Sequence, residues 1–173
     1  LARNTEYLNS LAAEVDNCLA IACDVRDPKA VVSAFDQISN ELGEVDVLIY
    51  NAGSGEWNNV EQTTIEGMES SWQTNTLGLL VAGQQVIPAM KTKETGAIVV
   101  IGATASLRGG ANSTAFASAK SAQRSLAQSM ARRLGPTGIH VSYVIIDGII
   151  DLERTRAARP DIPDDYYLRP DDI

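Results

Sequence analysis

The sequence predicts an α/β fold, a parallel β-sheet with helices packed on both faces. Short, almost wholly apolar runs at 18–24, 45–51, 96–102 and 139–146 alternate with helical stretches of several turns, which is the pattern of βαβ units. Runs that are apolar throughout, rather than at every second residue, suit strands buried on both sides. The chain has 173 residues, 45% apolar and 21% charged, which fits a single domain over 1–173 with a sizeable core. No internal repeat, low-complexity tract or linker divides it.

Each element has a local cause. Asn4 or Thr5 caps a first helix that carries Leu8, Leu11, Ala12 and Val15 on one face. "CLAIACD" (18–24) follows as a short buried strand. Asp27 then Pro28 is an N-cap with proline at the first helical position, and the helix runs through Val31, Phe35, Ile38 and Leu42 to Gly43. "VDVLIYN" (45–51) is the next strand, turned by "AGSG". A long helical region covers 64–91, and "GAIVVIG" (96–102) is the third strand. A Gly-rich loop leads into a helix over 114–135, stopped by Gly135-Pro136. "IHVSYVII" (139–146) is the fourth strand. The remainder, 147–173, is rich in Asp, Arg and Pro and has no clear period.

Composition excludes several function classes. The net charge is −8 and no basic stripe interrupts it, so neither nucleic acid nor an anionic membrane is an expected partner. No apolar stretch reaches the length of a membrane span, and no signal peptide opens the chain. Cys18 and Cys23 lie five apart in the expected strand, so they face opposite ways and cannot pair. Both read as core thiols in a reducing, cytoplasmic protein. With His140 the only histidine, no multi-histidine metal site is possible and a histidine-based triad is not expected.

In parallel sheets of this kind ligands bind beyond the carboxyl ends of the strands. The residues there are Asp24-Val25, Asn51-Ala52-Gly53, Gly102 to Ser106 and Asp147-Gly148. Small residues in Asn51-Ala52-Gly53 let a flat ligand approach the backbone, although the same residues also serve a plain tight turn. Phe116 and Lys120 are four apart, so they share a helix face. The surrounding Ala115, Ser118, Ala119 and Ala122 permit close packing, and a lysine there can be held in place.

These features in this order resemble the short-chain dehydrogenase/reductase family, over nearly the whole chain. The resemblance implies a single-domain, doubly wound Rossmann-type sheet in three α/β/α layers. It also implies hydride exchange between a nicotinamide dinucleotide and an alcohol or carbonyl. Asp24-Val25 resembles the acidic pair at the adenine ring, and Asn51-Ala52-Gly53 the NAG motif beside the cofactor. Asn75, in "NTLG", resembles the asparagine that kinks the long helix and holds a relay water. Lys120 resembles the lysine of YxxxK that holds the nicotinamide ribose. By the same resemblance Gly148 and Ile150 lie against the cofactor. Arg3 falls at the end of the second strand, where a basic residue meets a ribose 2′-phosphate, so NADP is expected over NAD. The helices at 64–91 and 114–135 resemble those that pair subunits into homodimers or homotetramers.

The sequence departs from the family pattern at the chemical centre. The tyrosine of YxxxK is Phe116 and the catalytic serine position is Ala103. Both changes resemble a bacterial subgroup with phenylalanine at that position. The Pro-Gly-x-x-x-Thr run reads Asp147-Gly148-Ile149-Ile150-Asp151-Leu152. Loss of acid/base assistance typically costs about 10²–10⁴-fold. A carboxyl in a partly apolar pocket has a raised pKa, which makes Asp147 a candidate acid. The alternative is that it only turns the backbone. Tyr50, Tyr166 and Tyr167 are further candidates, while Thr104 and Ser106 are poor acids. The glycine fingerprint of the first strand is absent, and by resemblance the chain starts at the end of the second strand and stops before the last. The segment 151–173 reads as a solvated, mobile substrate lid. Three readings stay open: an NADP-dependent oxidoreductase with an atypical acid, a dinucleotide-binding protein without chemistry, and an oligomerisation scaffold.

Overall fold

A computed structural model describes all 173 residues. In chain order the elements are α1 (Thr5–Glu14), α2 (Pro28–Glu41), β1 (Val47–Tyr50), α3 (Ile65–Trp72), α4 (Gly78–Lys93), β2 (Gly96–Ala103), α5 (Thr114–Leu134), β3 (Ile139–Ile146), β4 (Ile149–Ile150), α6 (Glu153–Ala158) and β5 (Tyr167–Leu168). A π-helical turn, Gln73–Leu77, joins α3 to α4 without a break. The expected caps are present. The Asn4 side chain accepts from the Tyr7 amide, the Asp27 side chain accepts from the Lys29 amide, and Gly43 follows α2 at φ +88°.

The main sheet is parallel, in the order β1-β2-β3. Val47–Tyr50 pairs with Ala97–Val100, and Gly96–Ala103 with Ile139–Ile146. That register puts Leu48, Tyr50, Ile98, Val100, Val141 and Tyr143 on one face. They pack with Val31 and Phe35 of α2, Leu79 and Val86 of α4, and Ala127 and Met130 of α5. The order runs one way across the sheet, so two right-handed crossovers lay their helices on the same side. The other face presents Val47, Ile49 and Val144 to solvent. Helices pack against this parallel sheet as expected of a Rossmann-type three-layer α/β fold. The architecture is Rossmann-type α/β.

Three expectations need correction. The run 18–24 is not a strand, because its backbone finds a single ladder partner in the parallel bridge Ala2–Ala22, with the Cys23 amide donating to Ala2. Consequently Cys18 is exposed and only Cys23 is buried. Leu8 is the one buried residue of the α1 stripe, and Leu11 and Val15 face solvent. A cavity of about 590 Å³ opens between the Ala2–Ala22 bridge and β1.

The segment after β3 carries a small sheet and a buried tyrosine of its own. β4 pairs with β5 in parallel, and Tyr167 is buried with its hydroxyl donating to the Arg159 carbonyl. Arg156 binds both Asp151 and Asp164 and lies over the Tyr167 ring, 4.7 Å from its centroid. No helix is long and apolar enough to cross a membrane.

Candidate functional site

Asn75 lies in the π-helical turn and is fully buried. Its side-chain nitrogen donates to the Ser71 carbonyl at 2.7 Å and to the Ser54 carbonyl at 2.6 Å. The second bond ties the loop after β1 to the widened helix. Its oxygen, Oδ1, is buried with no donor. A buried acceptor without a partner is costly, and such an atom at a strand's carboxyl end marks a place for a ligand hydroxyl or a water.

Lys120 is 5% exposed. Its Nζ donates to the Ile101 carbonyl and to Gln123 Oε1, both at 3.0 Å. An ammonium has three N–H donors, so one is uncommitted. Burial pulls its pKa down to about 8. A Cβ built on Gly53 would stand 3.5 Å from Lys120 Nζ and 3.6 Å from Asn75 Oδ1, so these two atoms border one small space beside Gly53. A hydroxyl there would accept from the lysine and donate to the asparagine. Vicinal hydroxyls of a sugar suit that pair.

Phe116 sits one turn before Lys120, with Nζ 5.9 Å from its ring centroid. The exposed indole of Trp57 covers it at 5.0 Å between centroids, tilted 37°. Ala103 ends β2, and neither it nor Phe116 carries a proton donor. Asp147 is exposed, lines a cavity with Ile145, Ile146 and Leu168, and accepts from the Thr104 hydroxyl at 2.5 Å. That bond links the carboxyl ends of β2 and β3.

The remaining predicted residues divide into two groups. Arg3, Asp24, Val25, Asn51, Ala52 and Gly53 all line the 590 Å³ cavity. Asp24 is held by Arg26, whose Nη2 donates at 2.6 Å. Hydrogen bonds from the Arg26 side chain bring the carboxyl down to about 2. Arg3 makes no ion pair. Gly148 and Ile150 lie apart from this cavity: Gly148 packs on Leu168, and Ile150 pairs with it in the small sheet. Tyr50 is buried, its hydroxyl donates to the Thr74 carbonyl at 2.5 Å, and burial pushes its pKa well up. It braces the π turn and has no proton to spare. Tyr166 is exposed.

Two residues escaped the sequence reading. Gln123, fully buried, accepts from Lys120 and donates through Nε2 to the Asn75 carbonyl at 2.8 Å. Tyr143 places its hydroxyl 3.3 Å from the Lys120 carbonyl and 3.4 Å from Gln123 Oε1. The signal for Gln123 was its place three residues after Lys120, on the same helix face.

The family model for short chain dehydrogenase matches residues 1–162. The 3-oxoacyl-[acyl-carrier-protein] reductase MabA of Mycobacterium avium is 32% identical over 142 residues, covering 82% of this chain and 55% of that protein. A short-chain dehydrogenase from Rhodopseudomonas palustris superposes with TM-score 0.79 at 30% identity, covering 97% of this chain and 82% of that one. A short chain oxidoreductase from Pseudomonas aeruginosa PAO1, solved with NADPH and described as having an atypical catalytic center, superposes with TM-score 0.84 at 22% identity. It covers 92% of this chain and 64% of that one. The chain spans between about half and two thirds of the length of the curated relatives it matches.

Proposed function

The chain belongs to the short-chain dehydrogenase family, and on that premise we propose that it forms most of the dinucleotide site of an NADP-dependent oxidoreductase acting on an alcohol or carbonyl. One observation carries the reading: Lys120 Nζ and the unpartnered Asn75 Oδ1 border the same space at Gly53. These residues fit the sugar of a nicotinamide dinucleotide, which when bound supplies or takes up the hydride. Lys120 anchors the ribose hydroxyls and Asn75 accepts from a hydroxyl or water beside them. Arg3, free of any ion pair, meets a 2′-phosphate. Asp24, already neutralised by Arg26, does not oppose that anion.

The proton is the weak point of the site. No hydroxyl stands at 116 or 103, and Asp147 is exposed. The titratable group bordering the cradle is Lys120 itself, with its pKa near 8, close enough to neutral to give up a proton. A second reading is favoured by the Trp57–Phe116 pair, which puts apolar surface where the family has a phenol. On that reading the protein binds the dinucleotide and does no chemistry. The exposed Met68, Trp72 and Leu80 on α3 and α4 support a homodimer or homotetramer through the helices at 64–91 and 114–135.

Calorimetry with NADPH and an NADPH-oxidation screen over a carbonyl panel, on the whole protein, test both readings. Binding with turnover supports the oxidoreductase. Binding without turnover, unrescued by Phe116→Tyr with Ala103→Ser, leaves the binding protein. No binding removes both.

A further inference from the structure

We propose that Gln123 is the positioning residue of this site, aiming the Lys120 ammonium and the Asn75 carboxamide at the space beside Gly53. The inference rests on the reading of that space as a binding site, and it concerns how the space is held in shape.

The chemistry of the partners fixes the orientation of the Gln123 amide. Lys120 Nζ can only donate and the Asn75 carbonyl can only accept. Oε1 therefore faces the lysine at 3.0 Å and Nε2 faces the carbonyl at 2.8 Å. Flipping the amide would set donor against donor and acceptor against acceptor. The Tyr143 hydroxyl adds a further donor near Oε1, at 3.4 Å. The Tyr143 ring crosses Gly102, where a Cβ would come within 2.2 Å of it. Only glycine at 102 lets the phenol reach this cluster. One carboxamide thus joins α5, the π turn and β3.

This bears directly on the two site atoms. Lys120 has acceptors at the Ile101 carbonyl and at Gln123, and together they direct the third N–H. Asn75 is fixed by its side-chain bonds to Ser54 and Ser71 and by the bond from Gln123 to its carbonyl. An apolar side chain at 123 would remove one acceptor from a buried ammonium and the donor from the Asn75 carbonyl at once. The groups facing Lys120 are the Tyr143 phenol from β3, the Ile101 carbonyl from β2, neutral Asn75 from the π turn, Gly53 from the loop, and Phe116 and Gln123 from its own helix. Burial is the cause of its shift, and no carboxylate contributes.

The test is the pH dependence of Lys120 labelling by an amine-specific acylating reagent, read by peptide mass spectrometry on the whole protein. Wild type, Gln123→Met and Gln123→Glu are compared, with folding checked by circular dichroism. The wild-type midpoint is expected near 8. Gln123→Met, lacking the acceptor, lowers the midpoint by about one pH unit, and Gln123→Glu, placing a carboxylate against the ammonium, raises it by about one or more. NADPH affinity falls about tenfold in Gln123→Met. If Gln123→Met fails to fold, Gln123→Glu carries the test. Unchanged midpoints in the folded variants overturn the proposal even where NADPH binds. Shifted midpoints with no NADPH binding by wild type leave the positioning role standing and remove the dinucleotide reading.

Discussion

Lys120 Nζ and Asn75 Oδ1 approach Gly53 from two different helices, 3.5 Å and 3.6 Å from where its Cβ would be. Those are ordinary contact distances, and Gly53 has no left-handed backbone to defend. Gly53→Ala should therefore fold with a melting temperature close to wild type. Its methyl group occupies the cradle, so NADPH affinity should drop by about tenfold or more. Calorimetry beside a thermal melt checks this. Unchanged affinity would place the ribose elsewhere.

Burying Lys120 makes stability depend on pH. Burial brings its pKa to about 8 in the fold, against about 10.5 for a free lysine. Between those values the unfolded chain holds a proton that the folded chain has released. Stability attributable to this residue therefore rises with pH through that window, by at most about 3 kcal/mol. Lys120→Met should lack that rise. Urea denaturation of both proteins from pH 7 to 10 measures it. Parallel profiles would show that the amine keeps its ordinary pKa in the fold.

The parts of this molecule legible in sequence are those set by local pattern. Asp27-Pro28 announced α2, and apolar runs announced β1, β2 and β3 close to their observed bounds. The run 18–24 looked equally strand-like, but a strand depends on a neighbour, and only Ala2 supplies one. Motif spacing singled out Lys120 and Asn75, and the fold brings both side chains to the space beside Gly53. Gln123 was not singled out, since a glutamine on an Ala-rich helix reads as surface until the fold shows it sealed under Asn75. Asp147 lies just past the end of β3, exposed and bonded to the Thr104 hydroxyl. The C-terminal tail looked aperiodic because its order comes from ion pairs and one buried tyrosine rather than from a repeating stripe.

Phe116→Tyr with Ala103→Ser replaces the two missing hydroxyls at the ends of α5 and β2. The new phenol would stand beside Lys120, on the ring position now 5.9 Å from Nζ. A phenol close to a lysine ammonium titrates below its ordinary pKa near 10. The double variant is expected to oxidise NADPH with a carbonyl substrate about 10²-fold faster than wild type. Steady-state rates over the same panel decide it. A wild type that is already as fast would mean the native site has its own acid.

Arg156 is the joint of the C-terminal segment. It binds Asp151 at the end of β4 and Asp164 before β5, and lies across Tyr167. Its side chain is partly exposed, and ion pairs in water are individually weak. The core formed by α2, α4, α5 and the main sheet does not depend on it. Arg156→Ala should leave the core's melting temperature nearly unchanged, while trypsin cleavage at Arg154, a site in this segment that is not followed by proline and is present in both proteins, becomes several-fold faster. Limited proteolysis with mass mapping gives the answer. Equal cleavage rates in the two proteins would show that β4–β5 pairing and Tyr167 hold the segment without the arginine.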